Sequence, residues 1–199
     1  MYLLIMGPPG AGKGTQAGRI AARYTIPAIS TGDMFRAMRH QDTPLAHRVQ
    51  EIMASGGYVP NEVTNQVVAD RLLADDCAEG FLLDGYPRTL DQVGFLDGVL
   101  EKAGCGLDAV ISLAVDADEL VTRLTRRGET DGRSDDTPEA IRKRQQVYSD
   151  ETAPLLELYR ERGLLVEVDG LGDIDAVTRR LFAALDERAG SSALVGGAS

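Results

Sequence analysis

Lysine is scarce in this chain. It occurs only at Lys13, Lys102 and Lys143, and the rest of its 21 basic side chains are arginine. A compositional habit accounts for the bias, yet it makes the lysine at position 13 harder to dismiss as filler. Cysteine is sparser still. Cys77 and Cys105 have no C-x-x-C spacing, and His40 and His47 stand in no set with metal-ligand spacing. Neither a disulfide framework nor structural zinc is expected. No apolar run approaches the length of a spanning helix, and the apolar start is too short and lacks the basic region of a signal peptide. A net charge of −10 argues against a nucleic-acid or membrane-surface partner, because both attract a basic face. These absences read as a reduced, cytoplasmic protein. At 199 residues the chain fits one domain or one core with small inserted subdomains.

Glycine, by contrast, is concentrated in one place. The stretch "GPPGAGKGT", Gly7 to Thr15, follows the apolar run "YLLIM" and precedes "GTQAGRIAARY", whose Ile20, Ala21 and Tyr24 share a helical face. Gly7, Gly12 and Lys13 match G-x-x-x-x-G-K. In such a loop successive backbone N–H groups line one concavity, a helix N-terminus adds positive potential, and the lysine reaches the outer phosphates. A Cβ would obstruct both the backbone conformation and the approach of phosphate oxygens. The alternative is a glycine-rich turn that merely joins strand to helix. Gly14 stands where many such loops place the Ser or Thr that binds Mg²⁺, and Thr15 comes one residue later. With no Asn-Lys-x-Asp stretch for guanine, this is not a typical GTPase loop.

Strand-like segments "YLLIM", "PAIS", "FLLDG", "AVISLAV" and "LLVEVDG" alternate with helical spacing, which predicts a parallel sheet covered on both faces. Residues 31 to 79 are too long for one crossover helix. They read as three helices, "TGDMFRAMRH", "PLAHRVQEIMASG" and "NEVTNQVVADRLLADD", broken at "QDTP" and "GGYVP". Such an insertion at the C-terminal edge of the sheet is a candidate second-substrate domain. The polar "RRGETDGRSDD", residues 126 to 136, reads as a surface loop. "TPEAIRKRQQVY" then starts a helix, with Thr137 as N-cap and Pro138 at its first position. The loop is either simply solvated, or its Arg127 and Arg133 converge with Arg142 and Arg144 on one anionic target. The last stretch, "GSSALVGGAS", has the composition of a disordered tail.

Taken in order, "GPPGAGKGTQ", "ISTGDMFR", "GGYVPNE", "FLLDGYPRT" with Gln92 beyond it, "GRSDD" and "IRKRQQVYSDETAPLLELY" resemble the adenylate kinases along nearly the whole chain. The resemblance implies a P-loop fold: a five-stranded parallel sheet with helices on both faces. It divides the chain into a core (1–29, 61–125, 137–189), an AMP-binding helical insertion (30–60), a short lid (126–136) without zinc, and a tail (190–199). It implies ATP and AMP as substrates, ADP as product, Mg²⁺, and a monomer.

By the same resemblance, ATP would lie on Gly10, Ala11, Gly12, Lys13, Gly14 and Thr15, with Arg127 and Gly172. Arg36 and Arg88 would grip the AMP phosphate, while Arg127, Arg133 and Arg144 close over the transferring group. Thr31, Gln92 and backbone at Gly57, Tyr58, Val59 and Gly85, Tyr86, Pro87 would line the AMP site. Asp84 would position Mg²⁺ through water. Arg36 and Arg144 read equally as solvated helix arginines, Asp84 as a helix cap, and Thr31 as the N-cap of its helix. UMP/CMP kinases share the phosphate machinery but differ at the Thr31 position, so Thr31 with Gln92 favours AMP. A P-loop protein that binds nucleotide without turnover is the alternative of another class. The insertion and the lid are both expected to close on substrates, around glycines such as Gly56, Gly57 and Gly128.

Overall fold

Tyr2–Met6 form β1, the middle strand of a five-stranded parallel sheet in the order β2-β3-β1-β4-β5. The others are Ala28–Ser30 (β2), Phe81–Asp84 (β3), Ala109–Ala114 (β4) and Leu165–Asp169 (β5). The structure, a computed structural model, describes residues 1–131 and 137–195. Leu4 of β1 pairs with Leu83 on one side and Val110 on the other. A central parallel strand is covered on both faces, which is why "YLLIM" is continuously apolar and does not alternate.

Alternate residues of β1 feed two cores. Leu3 and Ile5 pack with Ala17 and Ile20 of α1 (Lys13–Tyr24) and with Val177, Leu181 and Leu185 of α9 (Ile174–Val195). Leu4 and Met6 pack with Val68 of α4 (Asn61–Leu72), Leu96 and Leu100 of α5 (Leu90–Lys102), and Leu155 and Tyr159 of α8 (Pro154–Glu161). Burying each such Leu or Ile contributes about 1.5–3 kcal/mol, so the two layers lock the sheet from both sides. A third, smaller core lies inside the insertion. There Phe35 of α2 (Thr31–Ala37), Val49 of α3 (Pro44–Ala54) and Val59 are buried together, with Ile52 and Val63 against them. The insertion therefore has apolar packing of its own beside the two layers on the sheet.

The connection from β1 runs through α1 to β2, beyond β3, whereas β3 runs through α5 to β4 on the far side of β1. The chain thus reverses its winding direction at the β1/β3 boundary, the place where open α/β sheets leave a crevice outside their carboxyl ends. The glycine loop after β1 and the segment after Asp84 both open into that crevice.

Two sequence expectations change here. Residues 126–131 are not loop, because α6 spans Ala117–Asp131, and the i,i+4 pair of Glu119 with Arg123 supports the turns of the same helix before them. The rest of the expected lid, 132–136, lies outside the described residues. At the C-terminus, α9 reaches Val195, so the backbone of "GSSALV" is helical, while the remainder of the expected disordered tail, 196–199, lies outside the described residues. The α7 helix (Pro138–Val147) begins as its sequence predicts: Pro138 is in the first turn, and Thr137 accepts the N–H of Ala140.

Candidate active site at the sheet switch point

The loop after β1 takes its shape from three glycines. Gly7, Gly10 and Gly12 have φ of +141°, +90° and +90°. At Gly7 a Cβ would stand 2.8 Å from the Leu113 carbonyl oxygen, and at Gly10 it would meet Leu120 and Leu124 at 3.0 Å. Gly12 is the N-cap of α1 and offers no side chain to its first turn. The N–H groups of Lys13, Gly14 and Thr15 therefore start the helix without intrahelical partners, as an anion site requires.

Lys13 curls back over this loop. Its ammonium donates to the Gly7 and Pro8 carbonyl oxygens at 2.8 and 3.1 Å. Burial pushes the Lys13 ammonium down to about 8; the Asp84 carboxylate opposes that shift, while Arg88, Arg144 and Arg127 reinforce it. Burial likewise pushes the Asp84 carboxyl above the usual range, opposed by Lys13, Arg88 and Arg36. The net surplus of cations is what a bound polyphosphate would neutralise.

Asp84 ends β3 in register with Ile5 and Ser30. It is not a helix cap, since α5 is capped by Thr89, which accepts the N–H of Gln92. A Cβ on Gly14 would stand 3.7 Å from Asp84 Oδ2. The missing side chain at Gly14 keeps open the ground between this carboxylate and the start of α1. Among the described residues no group of three or more His, Cys, Asp or Glu is placed to hold a metal ion. One carboxylate beside a phosphate site suits a hydrated Mg²⁺ held mainly by substrate oxygens, and does not make an all-protein cage.

Two pockets meet at this point. One is lined by Gly10, Gly12, Gly14, Thr15, Asp84 and, from α6, Arg123 and Arg127. The other is lined by Thr31, Gly57, Tyr58, Val59, Tyr86, Pro87 and Gln92. Lys13, Arg36, Gly85, Arg88 and Arg144 belong to both. Four cations thus form the shared wall. Arg36 pairs with Asp33 at 2.5 Å. Arg88 donates from Nε to the Gly85 carbonyl at 2.6 Å, with its guanidinium 4.8 Å from the centre of the Tyr58 ring. Gly85 adopts φ +79°, and a Cβ there would stand 2.8 Å from Arg88 Nη2 and 3.0 Å from Thr31 Oγ1. Close approach of the Arg88 and Thr31 side chains fixes that glycine.

The cap of α2 is Ser30, whose hydroxyl accepts the Asp33 N–H. Thr31 is therefore not the N-cap, and its hydroxyl donates to the Gly85 carbonyl at 2.9 Å. Arg142 does not converge with the others: it pairs with Glu139 at 3.2 Å on an exposed part of α7. Arg133 lies outside the described residues. Ala11 is buried, and Gly172, at φ +101° in the loop after β5, lines neither pocket.

The sequence reading missed Arg123, Tyr148 and Thr152. Arg123 stands one turn before Arg127 on the same face of α6 and is held by Glu119 (2.7 Å) and the Gly170 carbonyl (3.1 Å). That i,i+4 spacing was the available signal. Thr152 ends a π-helical turn, Tyr148–Thr152, and donates to the Arg88 carbonyl at 2.9 Å while accepting from the Tyr58 hydroxyl at 2.9 Å. Nothing local in the sequence marks a π-turn.

The adenylate kinase family profile matches residues 5–164. The chain is 59% identical to the adenylate kinase of Leifsonia xyli subsp. xyli over 186 residues, 94% of each chain. It is 55% identical to that of a Nocardioides species over 94% of this chain and 97% of the relative, and 49% identical to that of Thermobifida fusca over 95% and 100%. A phosphate loop, a carboxylate beside it and a second pocket behind a wall of cations are thus found in a sequence that matches this family across its length: the chain belongs to the adenylate kinase family.

Proposed function

We propose that the protein catalyses reversible, Mg²⁺-dependent transfer of the terminal phosphate of ATP to AMP, giving two ADP. The observation that carries this reading is the wall of Lys13, Arg36, Arg88 and Arg144 common to both pockets. ATP would enter over the glycine loop and AMP over Thr31, Val59 and Gln92, with their phosphates facing each other across the cations. An AMP phosphate oxygen then attacks the γ-phosphorus, and the bond from that phosphorus to the β-bridging oxygen breaks, with ADP leaving. No general base is needed, because the nucleophile is already anionic. The protein supplies positioning and charge neutralisation.

In this scheme Lys13 and the first N–H groups of α1 hold the outer ATP phosphates. Arg36 and Arg88 grip the AMP phosphate, and Arg127 and Arg144 stabilise the transferring group. Arginine suits these places because its planar fork binds phosphate bidentately and stays charged. The role of Arg133 rests on the sequence resemblance alone. Asp84 would hold Mg²⁺ through water, and that ion would neutralise charge on the ATP oxygens. The insertion, with its own small core, closes over AMP and excludes water, which would otherwise accept the phosphoryl group. We also propose a cytoplasmic monomer. Among the described residues no helix is long and apolar enough to cross a membrane, and both described cysteines are free.

Initial rates of ADP formation from ATP with AMP, CMP or UMP as acceptor test the reading. AMP is expected to be strongly preferred. Faster turnover with CMP or UMP makes the protein a pyrimidine nucleotide kinase, and the absence of any acceptor-dependent turnover makes it a nucleotide-binding protein.

A further inference from the structure

Gln92 is 2% exposed, and both ends of its carboxamide are engaged. Its Oε1 accepts the backbone N–H of Arg88 at 2.8 Å, and its Nε2 donates to Asn61 Oδ1 at 2.8 Å. Asn61 Oδ1 also accepts from the Thr89 hydroxyl at 3.2 Å, and Asn61 Nδ2 donates to the Asp91 carboxylate at 3.3 Å. The Thr89 oxygen accepts the Gln92 N–H, so its single proton is available for Asn61. The two outer ends of this chain have fixed polarity. A backbone N–H can only donate, and an ionised carboxylate can only accept. Between them, each amide has one orientation that satisfies its neighbours.

From this network we infer that Asn61 is a specificity-determining positioning residue: it locks the Gln92 carboxamide so that the AMP pocket reads a purine with an amino group, and not an oxo group, at its six position. The inference rests on the AMP reading of that pocket proposed above. The lock leaves Gln92 one N–H and one lone pair, on a side chain that lines the pocket. Adenine presents an N6 donor beside an N1 acceptor, whereas hypoxanthine presents an O6 acceptor beside an N1 donor in nearly the same shape. A glutamine free to turn its amide serves either edge; a glutamine held at both ends serves one. Rejecting the other purine requires a polar group left without a partner, the situation in which sites discriminate most strongly. Asn61 belongs to the first turn of α4 and Thr89 caps α5, so the lock ties the insertion-proximal helix to the one that follows β3.

The test is the ratio of kcat/KM for AMP to that for IMP, a quantity that a loss of folded protein does not move. Asn61→Leu is expected to lower the ratio about tenfold, the worth of one well-placed hydrogen bond in a buried site. The double variant Asn61→Asp with Asp91→Asn exchanges amide and carboxylate, which reverses the bond between positions 61 and 91 but keeps at 61 an oxygen that accepts from Gln92 Nε2 and from the Thr89 hydroxyl, and is expected to restore it. Gln92→Leu should collapse the ratio further. A collapse in Gln92→Leu with no change in Asn61→Leu overturns the lock but leaves the AMP reading intact. An unchanged ratio in Gln92→Leu overturns base reading by this pocket, and the inference with it.

Discussion

Lys13 carries its charge in a place that penalises it. Burial above all, and then three neighbouring arginines, oppose the ammonium against the pull of the Asp84 carboxylate, which is why its pKa falls to about 8. A lysine whose folded pKa lies below its unfolded value binds fewer protons when folded, so stability rises with pH between the two values. Lys13→Met should therefore raise the thermal midpoint of the nucleotide-free protein at pH 7. Its advantage over the parent should shrink as pH climbs through 8 toward the ordinary lysine range. The same variant should lose about 10²–10³-fold in kcat, because in the proposed reaction the ammonium stabilises negative charge that develops on the phosphate oxygens. Calorimetric melting against pH, beside initial rates, checks both; a lower midpoint at pH 7 contradicts the first. Tyr159 offers a second case. Its hydroxyl is buried with no hydrogen-bond partner among the described residues. Tyr159→Phe removes an unsatisfied group, so melting should show an unchanged or higher midpoint, and a loss of several degrees would contradict that.

At the scale of elements, Gly56 is where the insertion packs against α7. It ends the turn after α3 at φ +76°, and a Cβ there would stand 2.6 Å from the Ala140 carbonyl oxygen and 3.2 Å from Arg144 Cγ. Gly56→Ala meets both a disfavoured backbone conformation and a backbone atom that cannot yield, so the insertion must shift. A cost of about 1–3 kcal/mol is expected. It should raise the KM for AMP more than the KM for ATP, because the insertion lines the AMP pocket while the glycine loop is carried by β1 and α1. Equal effects on both would contradict the assignment. Elements also mark what could be read beforehand. The strands were legible because buried parallel strands are continuous apolar runs. Helix starts such as Thr137-Pro138 were legible because capping is local chemistry. The end of α6 was not: residues 126–131 are polar and carry a glycine, a composition that reads as loop, yet they continue the helix that starts at Ala117. Thr31 was read as a possible cap because threonine caps helices, but Ser30, one residue earlier, holds that position. The partners of Gln92 and the π-turn that brings Thr152 to Arg88 depend on contacts distant in sequence, which no local pattern contains.

At the scale of the whole molecule, two pockets have one wall of cations in common. Reversed winding at β1 and β3 puts the glycine loop and Gly85–Arg88 side by side, and the insertion adds Arg36 from above while α7 adds Arg144. Closing the insertion over this wall should contract the protein when both pockets fill, a change visible in small-angle scattering. The most direct test is a calorimetric titration with two adenosines joined 5′ to 5′ through five phosphates, a ligand able to fill both pockets only if the phosphates meet. The expected result is one molecule bound per chain, far more tightly than ATP or AMP, excluding both, and weakened at least tenfold by Arg88→Ala, as loss of a buried charge-assisted contact requires. Binding of two molecules per chain, or binding that leaves AMP free to enter, would contradict the shared wall.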